Sequence, residues 1–131
     1  MKLLLDTHVW LWQGIDTKRL GRRTLHALED AKNELFISIV SIWELAIKDE
    51  IGKLELPVEL QLFVRTMLNG SGTSMLSLTP NHVFELKSLE RLHRDPFDRM
   101  MVAQARVENM TLVTVDERLL KYPVRALDAR T

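Results

Sequence analysis

Short apolar runs alternate with longer segments of helical periodicity along most of the chain. The candidate strands are residues 2–5, 34–38, 75–78, 111–115 and 123–126, and the candidate helices are residues 17–32, 41–50, 58–68, 80–92 and 95–107. This alternation predicts an α/β fold with a mostly parallel central sheet. Because βαβ crossovers are right-handed, the carboxyl ends of the strands meet at one edge of that sheet, where ligands usually bind.

Four acidic residues fall at that edge of the predicted sheet. Asp6 directly follows the first strand, and Asp116 directly follows the strand at 111–115. Glu44 lies about one turn into the helix after the second strand, and Asp98 lies in the first turn of the helix that leads into the strand at 111–115. We therefore expect the four carboxylates to lie close together in the folded chain.

Each of these acids also has an explanation as a helix cap. Residues 41–44 match a capping box, in which Glu44 serves the start of a helix. Asp95 followed by Pro96 matches an N-cap and a first helical position, with Asp98 near the positive end of the helix dipole. The other two acids follow strands and are placed to cap short helices there. Capping and ion binding are compatible with each other.

The clustering of these acids favours a bound cation. Two carboxylates about 6 Å apart repel each other by roughly 3 kcal/mol at an effective dielectric constant of about 20. A cation, or shifted pKa values, relieves this repulsion. Carboxylate oxygens, with no cysteine and only four histidines in the chain, suit Mg²⁺ or Mn²⁺ rather than zinc. Such ions support phosphodiester hydrolysis, and they make an acidic site attractive to an anionic substrate.

Length and composition limit the remaining possibilities. A chain of 131 residues, 46% of them apolar, fits a single domain that needs no covalent cross-links. The absence of cysteine excludes disulfides and thiol catalysis. The 18 basic and 18 acidic residues cancel, so the net charge does not indicate a nucleic-acid partner. Residues 3–5 are far too short a run for a signal peptide or a membrane span, so we expect a cytoplasmic protein with no membrane partner.

Four segments, in order along the chain, resemble the PIN-domain ribonucleases and, among them, the VapC-like toxins of bacterial toxin–antitoxin pairs. The segments are LLDTH at 4–8, IVSIWELAIK at 39–48 followed by GKL at 52–54, RDPFDRMMVAQA at 94–105, and LVTVD at 112–116. The resemblance extends from Met1 to about Asp128 and so covers nearly the whole chain. It implies one PIN-like domain, residues 1–131, with a three-layer α/β/α fold.

The same resemblance implies an activity and a set of site residues. It implies a metal-dependent endoribonuclease that uses Mg²⁺ (or Mn²⁺), with RNA as the substrate. The implied catalytic and metal-binding residues are Asp6, Glu44, Asp98 and Asp116. Asp95 matches a frequent additional acid of this subgroup and ranks below those four, and Thr114 matches a polar position that is expected to orient the last acid. The resemblance also implies a homodimer and a small antitoxin protein that blocks the site.

Several other side chains have two interpretations. Trp10, Trp12 and Trp43 are expected to pack in the core or in a dimer interface, with base stacking as the alternative. Lys48 follows Glu44 by four residues, the favourable spacing for an ion pair on a helix, so it either restrains Glu44 or only solvates that face of the helix. The four histidines have no metal-ligand spacing.

The basic side chains near the predicted site are also open to two interpretations. Arg94 and Arg99 flank Asp98 and either contact substrate phosphates or simply solvate the surface. A basic group within residues 18–23 either guides RNA toward the sheet edge or forms an exposed helix face.

Three other classes of protein share parts of this pattern. A phospho-accepting receiver domain needs an acidic pair after its first strand and a lysine after a late strand, but Thr7 and His8 follow Asp6 and residues 111–116 contain no lysine. A haloacid-dehalogenase phosphatase needs a second aspartate where His8 stands. A non-catalytic signalling or binding module, whose acids dock a basic partner, is the remaining alternative. Metal-dependent turnover distinguishes a nuclease from such a module.

Overall fold

A five-stranded sheet with the order β3-β2-β1-β4-β5 organises the fold, and every neighbouring pair of strands is parallel. The computed structural model describes residues 1–70 and 72–131. Its strands are β1 (Lys2–Leu5), β2 (Glu34–Ser38), β3 (Thr73–Leu76), β4 (Thr111–Thr114) and β5 (Ala126–Asp128). The predicted α/β class with a parallel sheet is confirmed. Because β1 is central, its leucines are covered on both faces.

Helices cover both faces of this sheet. Over the described residues they are α1 (Thr7–Ile15), α2 (Arg22–Glu29), α3 (Ile39–Glu50), α4 (Leu60–Gly70), α5 (Pro80–Glu85), α6 (Pro96–Glu108) and α7 (Glu117–Leu120). Leu3 and Leu5 pack with side chains of α1 to α4, whereas Leu4 packs with side chains of α6 and α7. Since consecutive strand residues point to opposite faces, this alternation produces the three-layer α/β/α arrangement.

The candidate helices did not include α1 and α7, although Asp6 and Asp116 were expected to cap short helices at these positions. Asp116 does cap α7, whereas Asp6 is at the N-cap position of α1 without a side-chain capping hydrogen bond. Helix α1 carries the apolar run Val9–Trp12, which wraps around the helix instead of forming one stripe, so it has little helical periodicity. Helix α7 has only four residues and depends on its N-cap, Asp116. Both helices follow directly after strands that end at the acidic edge, so their omission affects the surroundings of the site.

The predicted helix at 17–32 is interrupted at Gly21. The structure has a 3₁₀ helix at Thr17–Arg19, and α2 begins only after the glycine. A Cβ atom on Gly21 would overlap the backbone of Arg130 and Thr131, so the C-terminal residues pack where a side chain would otherwise be. The break is therefore a tertiary effect that local periodicity does not reveal.

The other element boundaries move by a few residues. The strands predicted at 75–78 and 123–126 are observed as β3 and β5, and the helix predicted at 80–92 ends early, as α5 followed by a 3₁₀ turn. The turn predicted at 69–72 includes Ser71, which lies outside the described residues. Within the part of the chain that the structure describes, no helix combines the length and apolar composition needed to cross a bilayer.

Candidate metal centre

The predicted acids meet in one open cavity of about 380 Å³ at the carboxyl edge of the sheet. The acidic side chains that line it are Asp6, Glu44, Asp95, Asp98 and Asp116. Asp6 follows β1 and Asp116 follows β4, while α3 and α6 bring the other three acids to the same place. Glu44, Asp95 and Asp98 offer carboxylate oxygens that all lie within 4.8 Å of one another. The structure thus brings together every acid that the sequence singled out.

Glu44 is not part of a helix cap, so the capping-box interpretation of residues 41–44 is wrong. Helix α3 begins at Ile39, and the Oγ atom of Ser38 accepts the capping hydrogen bond from the backbone of Val40 at 3.0 Å. Glu44 therefore lies inside the helix, where its buried side chain reaches the cavity. The predicted ion pair with Lys48 is present, with 3.5 Å between Nζ and Oε2.

Asp95 caps α6, as predicted, and still belongs to the acidic cluster. Its Oδ1 atom accepts hydrogen bonds from the backbone N–H groups of Phe97 at 2.8 Å and Asp98 at 3.3 Å. Pro96 occupies the first helical position, where its missing N–H is not needed. The cap fixes the start of α6, and this in turn places Asp98 against the cavity.

Asp6 is buried and is held by Thr114. The Thr114 hydroxyl donates to Oδ2 of Asp6 at 2.6 Å and accepts from the backbone N–H of Asp116 at 3.0 Å. Burial raises the pKa of Asp6, and the Thr114 hydrogen bond partly opposes that rise. Thr114 therefore orients the carboxylate of Asp6 directly and reaches Asp116 only through its backbone.

Asp116 is held by hydrogen bonds that favour its ionised form. Its Oδ1 atom accepts from the backbone N–H of Arg118 at 2.8 Å, which caps α7, and its Oδ2 atom lies 2.9 Å from Nε2 of His93. Partial burial opposes ionisation, but the hydrogen bonds from His93 and the Arg118 backbone outweigh it and lower the pKa of Asp116.

Both burial and its acidic neighbours disfavour the ionised form of Asp98. Burial, followed by the negative charges of Asp6, Asp95, Glu44 and Asp116, raises the pKa of Asp98 to about 8. A carboxyl group in this state lacks a compensating positive charge. Oxygen donors with excess negative charge are the ligands that Mg²⁺ and Mn²⁺ prefer, so the residues present fit such an ion.

His93 is a member of this site that sequence reasoning missed. Its Nε2 atom lies 2.9 Å from Oδ2 of Asp116 and 3.0 Å from Oδ2 of Asp98. The spacing rules for metal ligands do not detect it, because its partners are brought to it by separate elements of the fold. Its position two residues before the N-cap Asp95 was the one available signal.

The match to a family model identifies this fold and site together. The PIN domain model matches residues 3–124, which include all of the clustered acids. The chain belongs to the PIN-domain family. This assignment agrees with the predicted resemblance and does not favour the receiver-like and phosphatase alternatives.

Relatives match this PIN domain over nearly the whole of the chain. It is 30% identical over 121 residues to a protein named Ribonuclease VapC22 from Mycobacterium tuberculosis (strain ATCC 25618 / H37Rv). This alignment covers 92% of this chain and 91% of that protein. VapBC2 from Rickettsia felis, bound to a promoter DNA fragment, matches with a TM-score of 0.73 and 19% identity over 97% of this chain and 98% of that chain. VapBC-1 from nontypeable Haemophilus influenzae matches with a TM-score of 0.68 and 16% identity over 100% of both chains.

The tryptophans of the PIN domain have three different environments. Trp10 is fully buried in the core, as expected. Trp12 lines the acidic cavity, and the guanidinium of Arg19 lies 5.6 Å from its ring centroid. Trp43 is 58% exposed, and its ring contacts that of Phe97 edge-to-face with 5.0 Å between the ring centroids. The prediction that Trp43 packs in the core is therefore wrong, and its packing in a dimer interface stays a prediction.

The two arginines that flank Asp98 differ from each other. The Arg99 guanidinium donates to the backbone carbonyls of Leu86 at 3.5 Å and Leu89 at 3.4 Å, so it ties α6 to the preceding segment. This structural role of Arg99 differs from both predicted roles, which were surface solvation and contact with substrate phosphates. Arg94 is exposed.

Replacing Thr114 by valine should weaken ion binding by the PIN domain. Thr114→Val keeps the shape of the side chain but removes the hydroxyl that donates to Asp6. We expect the Mn²⁺ affinity, measured by calorimetry, to fall about tenfold, because such outer hydrogen bonds stabilise and orient the ionised ligand. Thr114→Ser keeps the hydroxyl and should bind Mn²⁺ almost as tightly as the wild type. Equal affinities for the three proteins would contradict the role of this hydroxyl.

Ion binding should also depend on pH, because Asp98 must lose a proton. With the pKa of Asp98 near 8, most ion-free molecules carry this proton at neutral pH. We expect the Mn²⁺ affinity to rise by up to about tenfold per pH unit between about pH 6 and about pH 8, and then to level off. Calorimetry in buffers of different ionisation enthalpy measures both the affinity and the released proton. Asp98→Asn should remove most of this dependence, and a flat profile for the wild type would contradict it.

Proposed function

We propose that this PIN domain is a metal-dependent endoribonuclease and the toxin member of a toxin–antitoxin pair. The observation that carries the proposal is the convergence of five carboxylates on one cavity, including Asp98 with its raised pKa. Such a cluster is stable in its ionised form when a divalent ion neutralises it. The full-length relative named as a ribonuclease supports RNA cleavage as the activity.

In this proposal Mg²⁺ (or Mn²⁺) is held by the four acids that the sequence predicted, with Asp95 as an additional ligand. The ion supplies Lewis acidity, which makes water a stronger nucleophile and offsets the charge that develops on the phosphoryl oxygens. Thr114 holds the Asp6 carboxylate in place, and the caps at Asp95 and Asp116 fix the starts of α6 and α7. The chain therefore presents its ligands on helices and at the ends of strands rather than on long loops.

RNA is the proposed substrate, and its entry depends on side chains at the cavity wall. Arg19 stacks on Trp12, which lines the cavity, so a cation lies beside the acidic cluster. Lys18, Arg22 and Arg23 are exposed and lie close to Arg19 in the sequence, and in this proposal they form a basic surface with it. Such a surface attracts the phosphate backbone without reading its sequence. A cellular RNA substrate also places the proposed activity in the cytoplasm.

An antitoxin and a second copy of the chain are the proposed protein partners. The solved structures with this fold include VapBC assemblies from Rickettsia felis and Haemophilus influenzae, and a DNA-bound VapBC assembly from Salmonella typhimurium. Exposed apolar side chains on α3, Ile39, Trp43 and Ile47, offer contact area for a partner. Light scattering coupled to gel filtration should show a dimer of the isolated chain, and a monomer at all concentrations would contradict the homodimer.

Cleavage of RNA by the purified protein, free of any partner, tests the proposed activity. The protein is incubated with total cellular RNA in Mg²⁺, in Mn²⁺ or in a chelator. We expect discrete fragments in the presence of an ion and none in the chelator. As a control variant, Asp49→Asn removes one carboxylate from an exposed site on α3 and should cleave RNA like the wild type. Cleavage that persists in the chelator would contradict the metal-dependent mechanism. An absence of both cleavage and ion-induced stabilisation would favour a non-catalytic binding module.

A further inference from the structure

We propose that His93 is a positioning residue, which holds Asp116 by a hydrogen bond donated from Nε2, lies in close contact with Asp98 and does not itself bind the ion. The inference rests on the proposed metal site, because its purpose is to hold two of that site's ligands. It concerns the tautomer and orientation of one imidazole ring.

The ring of His93 lies between the two carboxylates. Its Nε2 atom is within 3.0 Å of one oxygen of each, and the side chain is 9% exposed. Asp98 belongs to α6 and Asp116 precedes α7, so this single nitrogen bridges two elements. Once Asp98 is ionised, the two carboxylates repel each other, and the Nε2–H group between them offsets part of this repulsion.

The backbone of Asp95 decides which ring nitrogen carries the proton. The Asp95 N–H donates to Nδ1 of His93 at 3.0 Å, so Nδ1 acts as the acceptor. A neutral imidazole carries one proton, and with Nδ1 accepting, that proton is on Nε2. A protonated Nε2 has no lone pair for a metal. His93, Asp98 and Asp116 each have a possible ligand atom within 4.8 Å of the others, which is close enough to hold a metal ion. The tautomer nevertheless makes Nε2 of His93 a hydrogen-bond donor rather than a metal ligand.

The position of His93 is fixed by its own backbone as well. Its N–H donates to the hydroxyl of the buried Tyr122 at 3.1 Å, just after α7. The residue is thus attached to the start of α6 through Asp95 and to the end of α7 through Tyr122. Asp116 is then held at both oxygens, by His93 and by the Arg118 backbone, whereas Asp98 has one oxygen engaged by His93.

The chain contains a matched reference for this arrangement in His82. The Nδ1 atom of His82 accepts from the Thr79 backbone at 3.0 Å, and its Nε2 atom lies 2.7 Å from Oε2 of Glu108. His82 has the same hydrogen-bond pattern but does not line the acidic cavity. It should therefore show the same tautomer without responding to an ion.

Long-range ¹H–¹⁵N NMR correlation of the imidazole rings tests the tautomer directly in the full-length protein. We expect Nε2 of both His93 and His82 to carry a proton while Nδ1 accepts the backbone hydrogen bond, both before and after saturation with Mg²⁺. The Nε2 shift of His93 should change on Mg²⁺ addition, and that of His82 should stay constant. A proton on Nδ1 of His93 in either state, or a deprotonated Nε2 in the Mg²⁺-bound state, would overturn the proposal.

Electron spin-echo spectroscopy with Mn²⁺ gives an independent measurement. We expect no nitrogen coupling of the strength that a directly bound imidazole produces, and such a coupling would overturn the proposal. Failure of the wild type to bind Mn²⁺ would instead overturn the metal site itself and this role with it. The two failures are therefore distinguishable.

Paired substitutions test the donor. His93→Phe keeps a ring but removes the N–H, and we expect the Mn²⁺ affinity to fall about 10- to 100-fold, the usual effect of losing such a partner. His93→Gln offers an amide donor and should recover part of the affinity. Thermal melts of the ion-free proteins check that both variants fold. A glutamine variant that folds and binds Mn²⁺ no better than the phenylalanine variant would overturn the proposal.

Discussion

Asp98→Asn should lower RNA cleavage at saturating Mg²⁺ by about 10²- to 10³-fold or more, while it stabilises the ion-free protein. Asparagine keeps the size of the side chain but removes the charge that an ion requires. Asp98 lies where four other carboxylates converge, so its loss affects the centre of the cluster. Cleavage rates measured with labelled RNA, with Asp49→Asn as the control, test the first half of this prediction. Equal rates for Asp98→Asn and the wild type would remove Asp98 from the site.

The stabilising half of the prediction follows from proton linkage. The pKa of Asp98 is raised to about 8 in the folded state, so between about pH 4 and about pH 8 the folded chain holds a proton that the unfolded chain releases. The free energy of unfolding therefore falls as pH rises through this range. Asparagine has no such proton, although it loses the contact of the carboxylate with His93. We expect a net gain of about 1–3 kcal/mol at pH 7.5 in a chelator.

Urea unfolding of both proteins measures this gain, and its pH dependence identifies the cause. The difference between variant and wild type should grow from about pH 5 to about pH 8 and then become constant. Saturating Mg²⁺ should reverse the order of stability, because the ion binds the folded wild type more tightly. If the variant is less stable than the wild type in the chelator at every pH, the raised pKa of Asp98 in the folded protein is contradicted.

Leu4→Ala and Leu5→Ala should each destabilise the protein by about 3–5 kcal/mol, which is the range for cavity-forming substitutions in a core. Both leucines are fully buried, but they pack on opposite faces of the central strand. A three-layer fold therefore predicts comparable losses, whereas a sheet covered on one face would tolerate one of the two changes.

The same chain offers a matched surface control for this comparison. Leu62 on α4 is 49% exposed, so Leu62→Ala should change the free energy of unfolding much less than either core variant. Urea unfolding of the four proteins gives the comparison directly. A small loss for Leu4→Ala alone would mean that α6 and α7 do not cover the sheet.

Sequence reasoning identified the acids because their positions follow from topology. Asp6 and Asp116 come directly after buried strands, and parallel strands end at the same edge, so their proximity needs no side-chain detail. The alternation of apolar runs was also sufficient for the α/β class. The cap of α6 at Asp95 could also be predicted from the sequence, because proline at the first helical position is a local signal.

Other features were not readable because they depend on residues distant in sequence. The start of α3 moved to Ile39, since Ser38 and not Ser41 caps it, and this removes the capping role of Glu44 while leaving its predicted place in the acidic cluster. Helix α2 starts late because the C-terminal residues pack on Gly21. The interruption and the helix start are results of packing, which periodicity within a window does not contain.

The sequence alone determined the fold class and which carboxylates meet, because both depend on the order of strands and helices along the chain. The tertiary structure decided the electrostatic state of those carboxylates and the place of His93 among them. Burial and like charges raise the pKa of Asp98, while hydrogen bonds lower that of Asp116. These effects depend on distances of a few ångströms between α6, α7 and the strand ends. Such distances arise only when the separate elements pack, so no local pattern in the sequence records them.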